Sequence, residues 1–142
     1  MTYALSAALQ TAVYQQLVGD LVLTELVGDA IFDAMPAGQI PPLYVALGPE
    51  TVRDRSDASG AGASHELSIL IVTQAAGFSV AKQAAAAVSD ALVDANLTLS
   101  RGSLVALNFL KASAARVGSG DTRRITLIFR ARVCDGTPQS TQ

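Results

Sequence analysis

The feature that most restricts the fold lies near the C-terminus, where RRITLIFRARV runs from Arg123 to Val133. In an extended chain Ile125, Leu127, Phe129, Ala131 and Val133 share one face, and Arg124, Thr126, Ile128, Arg130 and Arg132 the other. Side chains alternate across a pleated strand, so the segment requires a sheet with one face on a core and a row of guanidinium groups on the second face. On the strand alone, nucleic acid, a partner subunit and water all remain open as counterparts of that row.

Three more segments read as strands. HELSILIVT, His65 to Thr73, places Leu67, Ile69 and Ile71 on one face and Glu66, Ser68, Leu70 and Val72 on the other, so both faces are partly apolar and both are expected to be covered. LYVALG, Leu43 to Gly48, and SLVALNFLKASAA, Ser103 to Ala115, complete the set, and VGSGD at Val117 to Asp121 predicts a hairpin turn into the last strand. MPAGQIPP, Met35 to Pro42, is a connector, because its prolines fix φ and remove donors. Thr51 to Ala63, polar and glycine-bearing, reads as a mobile loop.

Helices precede and separate these strands. Leu5, Leu9, Val13 and Leu17 recur every four positions and predict a helix from Ala4 to Val18. Asp20 as N-cap and Gly28 as stop frame a second, short helix over Leu21 to Val27, and Ile31 to Asp33 reads as a short extended piece. After Gly77, the stripe Ala81, Ala84, Ala85, Val88, Leu92 and Ala95 predicts a helix lying close on a sheet, with Ser79 as N-cap and Asn96 as stop. The order α-β-β-α-β-β, with the short helix as an addition, predicts one α+β domain over residues 1–135. Its expected architecture is a four-stranded, largely antiparallel sheet with two main helices packed on it, followed by a flexible tail over 136–142.

A chain of 142 residues that is 50% hydrophobic can bury a substantial core. With 15% charged residues and a mean hydropathy of +0.36, it is more apolar than a freely soluble monomer needs, which implies surface covered by partners. No Lys or Arg precedes Arg53 and no apolar run approaches a bilayer span, so neither secretion by a basic leader nor membrane insertion is expected. The single cysteine, Cys134, fits synthesis in a reducing cytoplasm.

Chemistry-bearing motifs are sparse. One histidine, His65, excludes a His-rich metal site, and its place at the start of a strand reads as a strand end rather than a general base. Cys134 has no histidine near it in sequence. Asp90 and Asp94 stand four apart on the polar side of the predicted third helix and read as a solvated face. GAGASH, with Gly60 and Gly62, lacks the third glycine and the strand-to-helix setting of a dinucleotide fingerprint. No enzymatic activity and no cofactor or metal are expected.

Charge is distributed unevenly. Before Arg53 the chain carries Asp20, Glu25, Asp29, Asp33 and Glu50 and no base, whereas between Arg101 and Arg132 seven bases face the single acid Asp121. The arginine row therefore has three readings. It is a solvated face paired with acids such as Glu66, each exposed pair contributing about 0–1 kcal/mol; a nucleic-acid site, against which stand the net charge of −2 and the few aromatics; or one half of a head-to-tail contact between copies, basic surface to acidic surface.

Taken together, YALSAALQ from Tyr3, IFD with PPLYVALG, HELSILIVT, GFSVAKQAAAAVSDAL, GSLVALNFLKA and RRITLIFRARV resemble the tail terminator, or tail completion, proteins of long-tailed phages and phage-derived gene transfer agents. The resemblance extends from about Tyr3 to Val133 and contains no catalytic signature. It implies a virion protein, made in the host bacterial cytoplasm, whose six copies form a ring at the head-proximal end of the tail tube. That ring would end tube polymerisation, join the tube protein to the head-side connector and let DNA pass through its lumen without sequence-specific binding. The connector or stopper layer above it is the alternative place, and a small nucleic-acid-binding module the more distant one. On this pattern Glu66, Arg124, Arg130 and Arg132 are expected at the subunit interface. Loops carrying Arg53, Asp54, Arg55 and Asp57, and Gly118, Ser119, Gly120 and Asp121, are expected to meet neighbouring rings.

Overall fold

The computed structural model describes residues 3–55, 62–118 and 120–135. The elements are α1 (Ser6–Val18), α2 (Leu21–Val27), β1 (Ile31–Phe32), β2 (Leu43–Asp54), β3 (Gly62–Thr73), α3 (Ser79–Leu92), β4 (Ser103–Arg116) and β5 (Arg123–Cys134). The predicted tail, Asp57, Gly60 and Ser119 lie outside the described residues.

One sheet of five strands, in the order β1-β2-β3-β5-β4, replaces the expected four. The extra strand is the two-residue β1, which pairs in parallel with β2 (Ile31 with Val45, Phe32 with Ala46) and makes the sheet mixed. Its partner lies beyond the proline-rich connector, and two residues carry no periodicity, so the pairing left no signal in the sequence. The other three pairings are antiparallel, as expected.

The expected loop from Thr51 to Ala63 is shorter than its composition suggests. β2 continues through Asp54, with Thr51 opposite Glu66, Arg53 opposite Ser64 and Asp54 opposite Ala63. A register shift between Leu47 and Glu50 spans Gly48 and Pro49, and it allows the strand to continue past a proline.

α1, α2 and α3 cover one face of the sheet, with α3 against β3, β4 and β5, and α1 against α2 and α3. The four-residue stripe of α1 is buried as predicted: Leu5, Leu9, Val13 and Leu17 are at most 1% exposed. α3 presents Ala81, Ala84, Ala85, Ala87, Val88, Ala91 and Leu92 inward, and its short side chains admit the helix close to the strands. Ser79 does not cap it: Phe78 precedes the first turn and makes no side-chain cap bond. The helix ends at Leu92, before the expected Asn96, because Asp94 adopts a φ of 57° and donates its N–H to Leu107 O on β4. Asp90 and Asp94 therefore do not share a helical face. The Asp20 side chain accepts from Leu23 N, and Gly28, at a φ of 64°, ends α2 as predicted.

On β5, Ile125, Leu127, Phe129, Ala131 and Val133 are all buried, with Phe129 fully so and edge-on to Phe109 at 5.8 Å. The alternation of RRITLIFRARV thus lines the core, with β5 flanked by β3 and β4.

Candidate functional site

The helices leave the second face of the sheet uncovered, and the pairing registers assemble it row by row. One row holds Arg53, Ser64, Arg132 and Ala106, and the next holds Thr51, Glu66, Arg130 and Asn108. Further along, Leu70 stands opposite Thr126 and Val72 opposite Arg124, while Ile128 lies between Ser68 and Lys111. The face therefore carries Arg53, Arg130 and Arg132 at one end, and towards the other Tyr44, Leu70, Val72 and Ile128, each partly buried, beside the exposed Arg124 and Lys111.

At the basic end Arg55, Ser64, Arg130 and Arg132 line one open depression. Ser64, on β3 and only 5% exposed, lies among them, with Arg130 and Arg132 on β5 and Arg55 just past the end of β2. Three guanidinium groups around a small hydroxyl offer the donors that an oxyanion would need, since arginine's planar fork matches carboxylate or phosphate oxygens. Glu66 lies opposite Arg130 in register, yet the ion pairs among the described residues are His65–Glu50 and Arg101–Asp135. The reading of a row neutralised in place by Glu66 therefore lacks its contact.

The four residues expected at an interface, Glu66, Arg124, Arg130 and Arg132, share this face. Of those expected on ring-contacting loops, Arg53 and Asp54 belong to β2 and Arg55 immediately follows it. Gly118, Gly120 and Asp121 are exposed in the β4–β5 turn, which Val117 N closes on Thr122 O. Arg123 is anchored there: its guanidinium donates to Ala75 O and Asp121 O and lies 5.5 Å over the Phe78 ring.

Two features escaped sequence reasoning. Ser64 stands between the expected loop, which ends at Ala63, and HELSILIVT, which begins at His65, although its position continues the same alternation. The second is a partly buried polar cluster at the start of α1. Glu50 Oε1 accepts from Tyr3 Oη at 2.9 Å and Ser6 Oγ at 2.6 Å, and Oε2 lies 3.1 Å from His65 Nδ1. Burial pushes the Glu50 pKa up, but the hydrogen bonds from Ser6, His65 and Tyr3 outweigh it and hold the carboxyl below its usual range. His65 is not a strand end but lies within β3, fully buried, with Nε2 unpaired among the described residues. This cluster ties the start of α1 to β2 and β3.

Exposed apolar side chains gather elsewhere. Val18, Leu21 and Val22 are 41%, 78% and 61% exposed where α1 meets α2, and on β4 Val105 and Phe109 are 59% and 44% exposed. Among the described residues no group of three or more His, Cys, Asp or Glu is placed to hold a metal, and no helix is long and apolar enough to cross a membrane.

Comparison with known proteins shows what the chain is similar to. The family model described as tail completion protein gp17 matches residues 11–134. A chain in a solved structure of the virion of a native gene transfer agent particle is 60% identical, with a TM-score of 0.90, over 94% of this chain and 99% of that one. No curated protein matches. A sheet with one open, charged face suits a structural tail component, and the chain belongs to the tail completion protein gp17 family.

Proposed function

We propose that this tail completion protein forms a ring, of six copies, that caps the head-proximal end of the tail tube in a phage or gene transfer agent particle. The ring ends tube polymerisation, joins the tube to the head-side connector and passes DNA through its lumen. The observation that carries this reading is the 60% identity, over nearly the whole of both chains, to a component of a gene transfer agent virion. The open face of the sheet supports it: the basic depression and the apolar strip beside it are the kind of surface that subunit association covers.

In this arrangement Arg124, Arg130, Arg132 and Glu66 lie at the contact between copies. Arg55, at the end of β2, and the β4–β5 turn with Gly118, Gly120 and Asp121 face the adjoining rings. Electron microscopy of the purified protein, alone and mixed with tail tubes, tests the reading. Rings in solution or caps at one end of the tubes are the expected result, and bare, still-elongating tube ends at every protein concentration would overturn it. Caps seated on the connector but never on tubes would move the protein to the layer above.

A further inference from the structure

The geometry points to the partner of the basic depression: the exposed side of α2 in a second copy of this chain, with Glu25 as the carboxylate that enters it. The inference rests on the ring reading above and adds the pair of surfaces that meet.

α2 is unusual in being apolar on both sides. Leu23 and Val27 are buried in the core, yet Leu21 and Val22 are 78% and 61% exposed, and Val18 at the end of α1 adjoins them. Glu25 stands four residues after Leu21 and three after Val22, so it shares their side of the helix. It is exposed and has no cation within ion-pair distance among the described residues. The helix thus offers apolar surface with a free carboxylate at one end.

The open sheet face offers the complement. Ile128 and Leu70 are partly buried apolar residues, and Arg130 and Arg132 follow Ile128 on the same side of β5. Residues four apart on a helix are separated by about 6 Å along its axis, and residues two apart on a strand by about 6.6 Å. Leu21 to Glu25 and Ile128 to Arg130 therefore repeat the same apolar-to-charge step. With α2 of one copy lying along β5 of the next, Leu21 over Ile128 brings Glu25 to the arginines.

α2 belongs to the helical layer, whereas the depression opens on the opposite side of the sheet, so one copy cannot fill its own site. A contact between two different surfaces is heterologous, and repeated contacts of that type close into a ring when the rotation permits. The charge asymmetry of the sequence agrees, since Glu25 lies in the segment without bases and Arg130 and Arg132 in the basic one.

The test is charge exchange, read by sedimentation velocity and electron microscopy of the full chain with tail tubes, with circular dichroism as a folding control. Glu25→Lys and Arg132→Glu are each expected to raise the concentration needed for assembly at least about tenfold, and the double variant to recover most of the loss. Leu21→Ser with Val22→Ser is expected to weaken assembly without unfolding the exposed helix side. Wild-type assembly matched by unimpaired Glu25→Lys would overturn this contact and leave the ring standing. Failure of the wild type to assemble at all would remove both. If Arg130→Glu with Arg132→Glu assembled normally but lost salt-dependent affinity for duplex DNA, the depression would be a phosphate site instead.

Discussion

His65 Nδ1 lies 3.1 Å from Glu50 Oε2, and this pair joins β3 to β2 beneath the start of α1. Glu50 is opposite Leu67 rather than Glu66 because the bulge at Gly48 and Pro49 advances the register by one residue. Without that shift the carboxylate would stand on the open face, beside Glu66 and the arginines. The bulge therefore removes an acid from the basic end and places it where Tyr3 and Ser6 can donate to it.

An ionised carboxylate only accepts hydrogen bonds, so the proton of this contact belongs to His65 Nδ1. In its neutral form the imidazole is expected as the Nδ1–H tautomer. Nitrogen-15 NMR of the single histidine checks this, and an Nε2–H pattern would refute the assignment.

Glu50→Gln is expected to lower stability at neutral pH by about 1–3 kcal/mol, by weakening three hydrogen bonds at once. Because the folded carboxyl titrates below its usual value of 4.5, its contribution is complete above that pH and is lost as the pH falls through the lowered value. The variant is thus expected to show a shallower acid-induced fall in Tm than the wild type. Parallel curves would show that the cluster carries no such linkage.

Gly102 has a φ of +67°, and a Cβ there would meet Leu5 Cδ2 at 2.5 Å and the carbonyl oxygen of Cys134 at 2.6 Å. Gly102→Ala is expected to cost about 1–3 kcal/mol, since both the backbone and the contact are unfavourable. Denaturant unfolding measures it, and an unchanged midpoint would mean that β4 can begin by another path.

Ala84 is fully buried on α3 and belongs to the core cluster. Ala84→Leu is expected to destabilise by about 1–3 kcal/mol through overpacking, whereas Phe129→Ala is expected to cost about 3–5 kcal/mol through the cavity it leaves. Thermal unfolding of the two variants compares them directly.

Arg130→Glu with Arg132→Glu is expected to leave the monomer folded, with a Tm close to that of the wild type, because neither side chain touches a carboxylate among the described residues. Ring or cap formation is expected to fail. Loss of the fold instead would mean that the arginine face supports the sheet itself.

The sequence by itself determined what is periodic and local. The stripe of α1, the capping of α2 by Asp20, the alanine face of α3 and the buried side of β5 each follow from a repeat of 3.6 or 2 and from residues adjacent in the chain. Only the tertiary structure decided which residues from different strands share a face. β1 has too few residues to show a period, and the bulge after Leu47 reverses the parity that a reader would extend through Glu50. The convergence of Arg55, Ser64, Arg130 and Arg132 is set by strand register. Register depends on hydrogen bonds between segments far apart in the chain, and for that reason the arginines of RRITLIFRARV were legible as a row while the depression they surround was not.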